Sequence, residues 1–153
     1  MSFTFLRRRL FTSPMTSTPS ETTSLVRQGW ISLAVWIALG ILIEGFIGFR
    51  TPALLDDPVR RELFRLAHAH GTLLSLVLIV AAICARLELI AIGRSASICL
   101  RLAALLLPLG FLLSGIWHFK DDPGIAIVLV PIGAVLLLGT AVHLALSASR
   151  RMP

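Results

Sequence analysis

Four long apolar runs, at 30–49, about 66–85, about 102–119 and 125–146, leave this chain few ways to fold. Each is roughly 18 to 22 residues, the length that carries a helix across about 30 Å of hydrocarbon at 1.5 Å per residue. They lack the alternation of a barrel strand. Backbone polar groups in lipid must be satisfied within their own segment, so the runs are helices. The predicted fold is all-α, an integral membrane four-helix up-down bundle. Its helices fall at about 28–50, 58–92, 97–119 and 123–148 in a transmembrane domain 28–149, after a disordered polar tail 1–27 rich in Ser, Thr and Pro.

Charge agrees. Hydrophobic residues make up 56% and charged residues 14% of the 153, too few charges to wet a soluble globule, which is about a quarter charged. The net charge of +6 does not point to nucleic acid. The arginines stand at the ends of apolar runs rather than in a stripe interleaved with aromatics, which is a pattern of membrane topology. Cys84 and Cys99 form no metal or disulfide spacing and read as small hydrophobes. Arg8-Arg9 is followed by Thr12 to Ser20 rather than an apolar stretch, so it is no export signal. An Arg- and Ser-rich, acid-poor start also fits an organellar transit peptide, and Met15 is an alternative start.

The connections carry their own signals. Asp57-Pro58 and Asp122-Pro123 each place a capping carboxylate before a proline, the pairing of an N-cap with a first helical residue. The second helix is expected to run past Arg86 and Glu88 and stop near Gly93. Pro108 and Pro131 fall inside the third and fourth helices as tolerated kinks. One side of the bundle holds Arg7, Arg8, Arg9, Arg27, Arg86, Arg94, Arg101, Arg150 and Arg151. The other holds Arg50, Arg60, Arg61, Arg65 and Lys120. Nine against five puts both termini in the cytoplasm. Starting at Met15 reduces nine to six.

LGILIEGFIGFR at 39–50 aligns without gaps on LGFLLSGIWHFK at 109–120, and an Asp-Asp-Pro follows each. The bundle therefore reads as two parallel two-helix repeats related by an axis along the membrane normal; the alternative is coincidence within a small apolar alphabet.

With the first and third helices running outward, Glu44, His68, His70, His118, Asp121 and Asp122 gather near the outer face. Polar groups at membrane depth are costly and point to function. Glu44 sits in Gly40-x-x-x-Glu44-x-x-x-Gly48, a face that admits a close neighbour and should turn the carboxylate into the bundle. His68 and His70 are about 200° apart on a helix, so His68 is expected inside and His70 toward lipid or a partner subunit. Glu44, His68, His118 and His70 are candidate metal ligands, and two imidazoles would suffice for a b-type haem. Arg65 and Asp121 are candidate charge partners. The bland reading is packing glue between helices. His143 reads as structural, and Trp30 and Trp117 as interfacial belt residues.

LAHAHGTLL, LLPLGF and DPG…LVPIGA together resemble small four-helix bacterial membrane proteins, which implies a bacterial inner membrane and no particular activity. Three functional classes remain. The first is a binding or accessory subunit, with the lipid bilayer and a membrane-protein partner or second copy around it. The second is a proton-coupled transporter acting as a homodimer. The third is a structural scaffold. No nucleophile motif or phosphate loop supports an enzyme.

Overall fold

The computed structural model describes residues 19–120 and 122–149. Helix α1 spans Pro19–Gly48, the single turn α2 Pro52–Leu55, α3 Pro58–Arg86, α4 Arg94–Ile116 and α5 Leu129–Ser149, the last entered through a 3-10 turn at Ile125–Val128. Four of these elements are long and apolar enough to cross a membrane. The architecture is the all-α four-helix bundle the sequence predicts, and its packing follows chain order. Helix α1 lies on α3, α3 on α4 and α4 on α5, while α1 touches α4 more sparsely and, among the described residues, neither α1 nor α3 packs on α5. The two central helices, α3 and α4, supply most of the buried core, including Leu74, Leu78, Ala82, Leu100 and Leu107.

Small residues set the interhelical distances. A Cβ at Gly40 would collide with the His68 ring, one at Gly29 with Ile79 and one at Gly71 with the Trp36 indole, so α1 and α3 interlock by two glycines of α1 and one of α3. Gly110 lies against Val130 and Gly133 against Leu107 in the same way between α4 and α5. Van der Waals fit of this kind holds helices together where lipid removes the hydrophobic drive. The aligned glycines Gly40 and Gly110 thus each seat the next long helix. The aligned Arg50 and Lys120 both adopt left-handed backbone, with φ of 54° and 53°.

Helix ends depart from the sequence expectation in three places. Residues 19–27, read as polar tail, form the first turns of α1; residues 1–18 lie outside the described segment. Helix α3 stops at Arg86 rather than near Gly93. Glu88 takes φ 60° and the Leu89 amide reaches back to the Cys84 carbonyl at 3.0 Å, closing a Schellman turn. Gly93 instead starts α4. The two Asp-Pro pairs also differ. Asp57 caps α3 by accepting the Arg60 amide at 2.9 Å. Asp122 accepts the Gly124 amide at 2.8 Å in a turn, and helix begins only at Ile125. Pro131 falls in the first turn of α5, where its missing N–H removes little.

The two ends of the bundle are distinct. At one end Arg86 donates to Thr23 Oγ1 at 2.8 Å, and the Ala91 amide donates to Ser147 Oγ at 2.9 Å, so the start of α1, the α3–α4 connection and the end of α5 meet there. The other end holds the end of α1, α2, Asp57 and His118.

Candidate functional site

The polar residues at the second end form two groups on opposite sides of α3. The first lines a groove of about 740 Å³ between α1 and α3 that opens sideways, with Glu44, Glu62, Arg65 and His68 set among walls such as Ile37 and Ile41. Glu44 is exposed at this groove rather than turned into the bundle as expected. Four residues make 400° of helical rotation, so Glu44 stands about 40° off the line of Gly40. Gly45 and Gly48, about 140° and 80° round the helix from Gly40, face open space. His68 is half-buried and its Nδ1 lies 2.7 Å from the Trp36 carbonyl oxygen. A carbonyl only accepts, so Nδ1 carries the proton and Nε2 is left as the ring's lone-pair acceptor in the neutral imidazole. Arg65 is exposed and shares the groove with Glu44 without closing an ion pair to it among the described residues.

The second group lies between α3 and α4. His118, two residues beyond α4, places Nε2 2.8 Å from Asp57 Oδ2, and its side chain is only 4% exposed. Asp57 meanwhile caps α3 through Oδ1, and Arg60 Nε donates to the Gly115 carbonyl at 3.2 Å. The Asp57 carboxyl is held below its ordinary pKa. The Arg60 amide proton contributes most, desolvation opposes it, and the charges of His118 and Arg60 add to the lowering. Sequence reasoning missed Asp57 and Arg60 as site residues because the cap alone accounted for the aspartate. The readable signal was antiparallel geometry, which sets the start of the second span beside the end of the third.

His70 does not face lipid or a partner subunit. Its ring stacks obliquely on Phe111 of α4 with centroids 5.1 Å apart, and its Nδ1 lies 2.8 Å from the Leu66 carbonyl. The 200° separation from His68 is real, but α3 is central, so both faces are covered by helices. His68 therefore looks to α1, His70 to α4, and His118 to the cap of α3. Among the described residues no three His, Cys, Asp or Glu side chains converge as a metal site. The expected set is split, with Glu44 and His68 between α1 and α3 and His70 and His118 between α3 and α4. Asp121, the other expected charge partner, lies outside the described residues. His143 is exposed at the far end, lining a shallow α4/α5 pocket with Cys99, Gly139 and Thr140.

Four apolar spans joined in an up-down bundle make this chain a small multi-pass membrane protein. Comparisons with known protein families, curated proteins and solved structures found no match, so its function is argued from its own residues.

Proposed function

We propose that the chain is a membrane-embedded binding protein, without catalysis of its own, whose ligand enters from the lipid through the α1/α3 groove. The carrying observation is the placement of Glu44, Glu62, Arg65 and His68 around one sideways-opening cavity with apolar walls. Two carboxylates and the free imidazole lone pair outnumber the single guanidinium. The groove therefore suits an amphipathic molecule with a cationic or proton-donating head, its apolar body lying along Ile37 and Ile41. The arginine bias favours a cell membrane with both ends of the chain cytoplasmic, which puts this groove near the outer face. The metal and haem versions of the site are not carried forward, because the histidines face separate partners.

Tetraphenylphosphonium titrated into the detergent-purified protein tests the reading by isothermal calorimetry. Saturable binding at one site, weakened about tenfold or more by Glu44→Gln with Glu62→Gln, is expected, since each charge pair in a partly desolvated site contributes on the order of 1 kcal/mol or more. Absent or non-saturable binding, or equal affinity in the variant, would sink it. Flux of the same cation into liposomes would move the assignment to a proton-coupled transporter.

A further inference from the structure

At the opposite end of the bundle, a second lateral groove of about 540 Å³ runs between α1 and α4. Its head is basic. Arg101 donates to Gln28 Oε1 at 3.0 Å, to Ser24 Oγ at 2.9 Å, to the Glu21 carbonyl at 3.4 Å and to Ser97 Oγ at 3.3 Å. All four acceptors are neutral, and no carboxylate pairs with this half-buried guanidinium among the described residues. Arg27, exposed beside it, has neither hydrogen bond nor ion pair among the described residues. Two guanidiniums thus share one mouth with no carboxylate at ion-pair distance among the described residues. Glu21 lines the adjoining pocket, where Arg94 stands as a third cation. A partly desolvated cation without a close counter-ion is costly.

Below that head the groove is apolar. Ile31, Val35 and Leu39 of α1 face Leu105, Leu109 and Leu112 of α4, spaced three and four apart so that each set forms one stripe. From Arg101 to Leu112 the stripe covers about 16 Å of helix, and half of a bilayer's hydrocarbon is about 15 Å. A basic head over an apolar channel one leaflet deep matches one phospholipid, with phosphate at the guanidiniums and an acyl chain along the leucines.

We infer that the α1/α4 groove is a binding site for an anionic phospholipid, held at its headgroup by Arg27 and Arg101. The site is separate from the Glu44 groove and stands whether or not that groove binds a ligand. Arg101 also joins α4 to the first turns of α1 through Ser24 and Gln28, so the bound anion would neutralise a charge that bridges the two helices.

The test is native mass spectrometry of the protein released from nanodiscs containing equal phosphatidylglycerol and phosphatidylcholine with identical acyl chains. Wild type is expected to carry one phosphatidylglycerol, enriched about fivefold or more over phosphatidylcholine, the value of roughly one basic residue against an anionic headgroup. Arg27→Gln, at an exposed position, should lower that enrichment several-fold, and Leu105→Trp should fill the channel and lower occupancy. Arg101→Gln should lower it further where the variant folds, and Glu44→Gln should leave it unchanged. Equal adducts of the two lipids in wild type would overturn the site. So would enrichment untouched by both Arg27→Gln and Leu105→Trp. Displacement of the lipid by millimolar glycerol 3-phosphate would reduce the head to a free-phosphate site and overturn the lipid assignment.

Discussion

His118 reaches across from the end of α4 to Asp57 at the start of α3, with Nε2 2.8 Å from Oδ2, while the other carboxylate oxygen caps the helix. One side chain thus both starts a membrane span and fixes the neighbouring span's end to it. The Arg60–Asp57 approach at 3.7 Å, with both side chains about a third exposed, adds little by comparison.

Asp57→Ala removes both functions. A lost cap costs about 1 kcal/mol and a stranded buried imidazole a further 1–3 kcal/mol. Destabilisation of about 2–4 kcal/mol is expected in thermal or denaturant unfolding in detergent. Asp57→Ser keeps a capping oxygen and should lose only the His118 part. Equal losses in the two variants would show that the His118 contact alone matters and the cap adds nothing.

The same carboxylate predicts an acid limb in the stability profile. Its pKa in the folded protein lies below the ordinary 3.8, because the Arg60 amide, the His118 ring and the Arg60 charge favour the ionised form over the opposing desolvation. A group lowered on folding contributes stability that is fully present above its unfolded value and is lost as pH falls through the folded value. Stability from Asp57 should therefore be flat above about pH 5 and decline on acidification below about pH 4. Unfolding temperatures of wild type and Asp57→Asn should differ at neutral pH and converge toward the acid end. A constant difference across that range would contradict the assignment.

The glycines divide into seated and free. Gly40→Ala and Gly71→Ala each drive a Cβ into the ring of His68 or Trp36, and overpacking of that kind costs about 1–3 kcal/mol. Gly45→Ala meets nothing within 4 Å and should be neutral or stabilise α1 by about 0.5–1 kcal/mol, the difference in helix propensity. Unfolding midpoints of the three variants measure the contrast. Destabilisation by Gly45→Ala as large as by Gly40→Ala would mean that something covers the Gly45 side of α1.

Local features of this chain were readable where one segment decided them. Length and apolarity define the four spans, and Asp57-Pro58 marks the start of α3 as a capping pair should. Features decided by neighbours were not. Asp122-Pro123 has the same letters as Asp57-Pro58, yet Gly124 at φ 73° turns the chain and delays the helix. His70 was assigned outward because a single helix has an inside and an outside, whereas α3 has helices on both sides. Glycine spacing points Glu44 inward, but it marks only the line along which a neighbour can approach, and Glu44 stands about 40° off that line. The Asp57–His118 pair needed only the antiparallel order of two spans, and was hidden because capping already explained the aspartate.

Among the described residues two interior hydroxyls have no hydrogen-bond partner: Thr72 Oγ1 on α3 and Ser114 Oγ on α4. Ser75, one turn beyond Thr72, shows the usual solution by donating to the Gly71 carbonyl at 2.7 Å, and Thr140 does the same to Leu136 at 2.8 Å. A buried hydroxyl without a partner forfeits its desolvation cost of about 1–3 kcal/mol, and an apolar replacement of like shape recovers part of it. If Thr72 and Ser114 serve only packing, Thr72→Val and Ser114→Ala should leave the fold intact and raise stability by up to about 1 kcal/mol each. Ser75→Ala, which breaks a satisfied bond, should lower it. Thermal unfolding of the three variants in one detergent reads the order directly. Marked destabilisation by Thr72→Val or Ser114→Ala would mean that the hydroxyl concerned binds something within the bundle, and in the case of Ser114 would make the end of α4 near His118 a polar site in its own right.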